Sequence, residues 1–278
     1  MTAFELSGLI LGGAFLAGLL GSLTGLGGGM VIVPLLTIGF GVDLHYAIGA
    51  SLISVIATSS GAAAAYVKEG YTNIRLGMLL EIATTTGALG GAFLAGVIST
   101  SVIAYLFAGM LVFSAYLSAR PRVEHISVER SDPWAEPLRL TSTYPTASGL
   151  QQYGVTHVPV GFGLMFIAGI LSGLLGIGSG ALKVLAMDNA MRLPFKVSTT
   201  TSNFMIGVTA AASAGVYLRR GYVDPALSFP VMLGVLAGAL LGARLLSHIH
   251  TRRLRQIFAV VILALAIEMV YKASSGRI

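Results

Sequence analysis

The chain has 278 residues, of which 55% are hydrophobic and only 10% charged, far below the roughly 25% charged content of an average soluble domain, so water is excluded as the main solvent of the fold. The formal charge of +6 is spread over loops rather than gathered in a groove-sized patch, which retention on the cytoplasmic side of a bilayer explains better than nucleic-acid binding. Cysteine is absent, which excludes disulfides, thiol catalysis and cysteine metal sites.

The first apolar run, about 6 to 24, has no basic residue before it, so it reads as a retained structural span rather than a signal peptide. It ends in Gly25-Leu26-Gly27-Gly28-Gly29. Such glycine density cannot continue a helix, because each glycine costs about 1 kcal/mol relative to alanine there. A short apolar piece follows at about 30 to 40, with Pro34 inside it. Longer spans are expected at 45 to 67, with Ala50-Ser51 near its start, at 74 to 97, with Glu81 and the Thr84-Thr85-Thr86 run, and at 99 to 118.

Residues 119 to 157 are rich in charge and proline (Pro121, Pro133, Pro137, Pro145), lack a helical period and hold no run long enough to cross a membrane. They read as a partly mobile linker on the cytoplasmic side. Beyond them the pattern starts again. A span at 158 to 175 meets Gly176-Ile177-Gly178-Ser179-Gly180, a short piece at 181 to 191 carries Lys183, and spans follow at 194 to 218, 226 to 247 and 254 to 272. The long runs approach the roughly 20 residues that a helix needs to span hydrocarbon, and nothing resembles the alternating segments of an outer-membrane barrel. The expected fold class is all-α: a polytopic integral membrane protein with about eight long transmembrane helices and two short helices after glycine-rich breaks.

An offset of 151 residues aligns 12 to 94 with 163 to 245 without a gap. The matches include Gly25/Gly176, Gly27/Gly178, Gly29/Gly180, Ser51/Ser202, Tyr66/Tyr217, Gly70/Gly221, Tyr71/Tyr222, Gly87/Gly238 and Gly91/Gly242. The chain therefore divides into a first repeat (1–118), the linker (119–157) and a second repeat (158–278). If each glycine break turns the chain back to its starting side, the repeats are inverted. Eleven basic residues then share one side: Lys68, Arg75, Arg120, Arg122, Arg130, Arg139, Arg192, Lys196, Arg252, Arg253 and Arg255. Parallel repeats would split the loop charges less sharply, so the positive-inside rule favours inversion.

Irregular backbone at membrane depth is tolerated only where it is buried in protein or lines a wet cavity. A helix restarting after the break would aim free N–H groups inward, as an anion site requires. Gly27, Gly28, Gly29, Gly178, Ser179 and Gly180 are candidate binding residues on that ground, while Gly87, Gly91, Gly234, Gly238 and Gly242 have the spacing of close helix packing. Lys183, an ammonium in an apolar stretch, is a candidate for direct anion contact, its blander role being to snorkel to an interface. Ser51, Thr201, Ser202 and Asn203 offer hydroxyls and an amide that hold an anion without committing a charge; equally, such residues cap a helix start or bond back to the preceding turn. Glu81 is a candidate proton carrier. The five histidines fall in loops or at span ends, so neither a buried metal site nor a Ser/His dyad is visible.

Gly25, Gly27, Gly28, Gly29 and Pro34, followed by Ala47 and Ser51, and again Gly176, Gly178 and Gly180, followed by Thr201, Ser202 and Asn203, resemble the paired motifs of the TauE/SafE sulfite exporter family. The sequence departs from that pattern at Ser179, where glycine is expected, and at Leu185, where proline is expected. The resemblance implies export of sulfite or an organosulfonate such as sulfoacetate across the cytoplasmic membrane, without an enzymatic step. The expectation is thus a secondary transporter working by alternating access around a midplane site, with a passive anion channel or a membrane-embedded hydrolase as alternatives. No cofactor or metal is expected. The partners are a small anionic substrate and the lipid bilayer, with homodimerisation open and nucleic acid excluded.

Overall fold

The computed structural model describes residues 3–24, 29–68, 70–119, 131–146, 149–245 and 251–276. The first repeat runs α1 (Ala3–Thr24), α2 (Gly29–Pro34) continued by a π-helical stretch (Leu35–Gly39), α3 (Leu44–Lys68), α4 (Ile74–Leu94) and α5 (Thr100–Ala119). The second runs α6 (Val158–Leu175), α7 (Gly180–Leu185) continued by a second π-helical stretch (Ala186–Ala190), α8 (Phe195–Arg219), α9 (Pro225–Leu245) and α10 (Thr251–Ser274). The short helices, the π stretches, α3 with α8, and α4 with α9 begin and end at the same 151-residue offset found in the sequence. Gly25, Gly27 and Gly28, together with the basic loop residues Arg120, Arg122 and Arg130, lie outside the described residues.

Local chemistry sets the helix ends. The Asn73 side chain caps α4 by accepting from the Leu76 N–H at 3.1 Å. At the end of α6, Gly176 sits at φ +67° and its N–H closes on the Ser172 carbonyl at 2.8 Å. That is the left-handed cap glycine adopts without strain. Of the eight long helices, α4, α5, α6 and α9 are each long and apolar enough to cross a membrane by length and composition. Met78, Ile82, Val260 and Ile267 are more than half exposed on the exterior, which suits lipid and would be a liability in water.

The repeats interlock. Helix α1 packs along α9, and its repeat equivalent α6 packs along α4, so each repeat lends a helix to the other. Both contacts are made by glycines whose missing side chain lets backbones touch: a Cβ on Gly238 would collide with the Phe15 carbonyl, and one on Gly87 with the Phe166 carbonyl. The expected packing glycines Gly87, Gly91, Gly234 and Gly238 all sit this way. Gly87→Ala is therefore expected to lower stability by about 1–3 kcal/mol, while Gly90→Ala, which faces open space, should gain up to about 1 kcal/mol. Thermal unfolding of the two variants in one detergent should move in opposite directions.

Helices α3 and α8 are equivalent to each other and pack together. His45 at the start of α3 stacks on Tyr222 beyond the end of α8 (4.8 Å), Ser59 in α3 sits against Gly207 in α8, and Lys196 at the start of α8 lies over Tyr71 beyond the end of α3 (5.6 Å). This order of contacts makes the two helices antiparallel. The His45–Tyr222 and Lys196–Tyr71 pairs are themselves repeat equivalents. The second short helix leads the chain back toward the beginning of α6: Met191 meets Gly161 near the start of α6, and its carbonyl accepts from Thr156.

Residues 131–157, expected as a partly mobile linker, hold a small two-stranded hairpin within a mostly helical chain. Strands β1 (Ser142–Thr146) and β2 (Gly149–Tyr153) pair antiparallel. Ala135, Leu140, Tyr153 and Val155 are buried with Leu76, Leu80, Met187 and Met191. The Asn73 amide donates to the Leu140 carbonyl (2.8 Å) and to the Tyr153 hydroxyl (3.0 Å). Burial pushes the Tyr153 phenol up to about 12, so it stays protonated and neutral beneath this cap. The segment is a folded lid over the start of α4 and the turn before α8.

Candidate functional site

Gly29, at the start of α2, and Gly176, at the start of the second break, come together against α3. Ser51 donates its hydroxyl to the Gly176 carbonyl of the second break at 2.8 Å, and lies 3.5 Å from the carbonyl of Gly29, the first residue of α2. Its repeat equivalent Ser202 donates to the Gly180 carbonyl at 3.2 Å. Both hydroxyl protons are therefore spent on backbone, and in this conformation the two serines clamp the second break. Gly178, at φ +70°, is wedged between Ile206 and Val55, and Gly180 also abuts Ile206.

Ser179 takes a left-handed conformation, φ +45°, and is fully buried. Its hydroxyl has no hydrogen-bond partner among the described residues. Beside it, the first intrahelical bond of α7 runs from the Lys183 N–H to the Ser179 carbonyl, which leaves the N–H groups of Gly180, Ala181 and Leu182 without an intrahelical acceptor. A left-handed non-glycine residue with a buried, unused hydroxyl is a costly arrangement for packing alone.

Lys183 does not snorkel. It is completely buried, and its ammonium donates to the Thr209 hydroxyl near the middle of α8. Thr209 donates onward to Glu81 Oε1 in α4 at 2.7 Å. Glu81 Oε1 also accepts from Thr85 (2.8 Å), and Oε2 accepts from Thr84 (3.0 Å) and lies 4.0 Å from Lys183 Nζ. The cluster joins three elements from both repeats and closes a charge pair in the interior, each polar atom answered by a partner of the right kind.

The other candidates are placed elsewhere. Thr201 accepts from the Asn73 N–H at 3.0 Å, which ties α8 to the start of α4. Asn203 is half-buried in α8, next to Ser202. Sequence reasoning flagged Lys183 and Glu81 separately and overlooked Thr209, the atom that connects them. A signal existed: Thr209 lies two helical turns beyond Ser202 on the same face, and it matches Thr58 in the repeat alignment.

The model for the family described as "Sulfite exporter TauE/SafE" matches residues 10–269. The probable membrane transporter protein YunE of Bacillus subtilis is 27% identical over 92% of this chain and 94% of its own length. YdhB of the same organism, also a probable membrane transporter protein, is 30% identical over 83% and 86%. The probable membrane transporter protein MJ0441 of Methanocaldococcus jannaschii is 26% identical over 89% of each chain. No solved structure matches the chain.

Proposed function

Because the chain belongs to the TauE/SafE sulfite exporter family and is a multi-pass membrane transporter, we propose that it carries a small sulfur oxyanion or organosulfonate, such as sulfite or sulfoacetate, outward across the cytoplasmic membrane. The observation that carries the reading is Lys183. A fully buried ammonium beside a helix break, in a chain with an apolar exterior, is a functional group by default. Ser179 with its unused hydroxyl, and the N–H groups that follow it, supply further donors to an anion.

We read all eight long helices as crossings and the repeats as inverted. The antiparallel course of the equivalent helices α3 and α8 supports a twofold axis in the membrane plane. The folded linker, Arg75, Arg139, Arg192 and Lys196 then face the cytoplasm. Alternating access would rock one interlocked half against the other about the breaks, with the serine clamps re-forming on each side.

The test is uptake by proteoliposomes of sulfite, thiosulfate, sulfoacetate and isethionate. Saturable flux of at least one of them, competed by the others, is expected. Flux that grows linearly with concentration would mark a passive channel instead, and inertness to all four would reject the sulfur-anion assignment.

A further inference from the structure

The Lys183–Thr209–Glu81 cluster breaks the symmetry of its frame. The repeat equivalent of Lys183 is Ile32, of Glu81 Met232, and of Thr84 and Thr85 Val235 and Leu236; Thr209 alone is matched, by Thr58. Ile32 and Val235 are buried, so the same architecture closes over apolar side chains at those places. The fold does not need the charges.

The surroundings of Glu81 offer one counter-charge. Helix α6, packed along α4, holds no ionisable side chain. On α8 the ionisable groups, Lys196, Tyr217 and Arg219, lie toward the two ends, and on α4 Arg75 sits in the first turn. Asp188, in the stretch after α7, has interactions of its own. Lys183 is the group that faces the carboxylate.

We propose that Glu81 is a proton site that shares Lys183 with the transported anion, so that each anion bound is accompanied by one proton; this rests on the anion-carrier reading above. With Glu81 ionised, the ammonium is compensated and the cluster is closed. A proton taken from water onto Glu81 removes the negative charge and leaves the ammonium uncompensated in a buried place. That state is unfavourable until an oxygen of the anion takes over the vacated role. An anion arriving beside ionised Glu81 would instead crowd two negative groups on one ammonium. Proton and anion therefore raise each other's affinity, and the coupling is reciprocal. No bond other than O–H is made or broken, and the proton leaves to water on the side where the anion leaves.

Calorimetric titration of the purified wild-type protein with sulfite, in buffers of different ionisation heat, counts the protons taken up, and Glu81→Gln is titrated alongside. Sulfite's own titration is common to both, so their difference isolates Glu81. The wild type should take up about one more proton per sulfite than the variant, and its affinity should fall about tenfold more per unit rise in pH. Equal uptake overturns the proposal. Should the variant fail to fold, thiosulfate, which does not titrate near neutral pH, replaces the comparison: uptake of about one proton by the wild type supports coupling and none overturns it. A wild type that binds neither anion defeats the sulfur-anion reading itself, and the coupling with it.

Discussion

Lys183→Met is expected to cut sulfite flux in proteoliposomes by about 30-fold or more, while the protein remains monodisperse in detergent. Removing one member of a buried charged contact costs about 2–5 kcal/mol of binding, and 1.4 kcal/mol is a factor of ten. Methionine keeps the length and most of the volume of the lysine stem, so the loss reads the ammonium rather than a cavity. Folding should survive, because Glu81 keeps the hydroxyl donors Thr84, Thr85 and Thr209 and is free to take a proton. The first repeat already closes over Ile32 at the equivalent place. Flux within threefold of wild type would remove Lys183 from the site.

The second large effect is on stability. Glu81→Leu strands the Lys183 ammonium with a single hydroxyl acceptor in a fully buried position, and breaking a buried pair from one side typically costs about 3–5 kcal/mol. The double variant Glu81→Leu with Lys183→Met should recover most of that loss, because it removes both charges and places apolar side chains at both positions, as Ile32 and Met232 stand at the repeat-equivalent places. Unfolding midpoints of the two single variants and the double variant form a cycle that isolates the interaction. A double variant as unstable as Glu81→Leu alone would mean that charge compensation is not what the cluster contributes.

Much of the architecture was legible because the repeat carries it. The glycine breaks, the short helices and the starts of α3, α4, α8 and α9 recur at one offset, so each boundary was in effect read twice. The hairpin within 131–157 was not legible, because its burial comes from Leu76, Leu80, Met187 and Met191 rather than from any period of its own. The site was legible as parts. An acid in α4 and an amine in α7 stand out as charges in apolar helices, but their pairing depends on how two repeats interlock, which no local pattern encodes. Ser51 and Ser202 look like ligands in sequence. In the fold their hydroxyls are held by carbonyls of the second break.

The element boundaries of the two halves match while their charges do not. At these places the first half carries Ile32 and Glu81, and the second Lys183 and Met232, so two first halves would bring two acids and no ammonium, and two second halves two lysines facing methionines. Neither homodimer could hold one acid against one amine. A compensated pair across the seam is available only to halves that share a scaffold but differ in sequence.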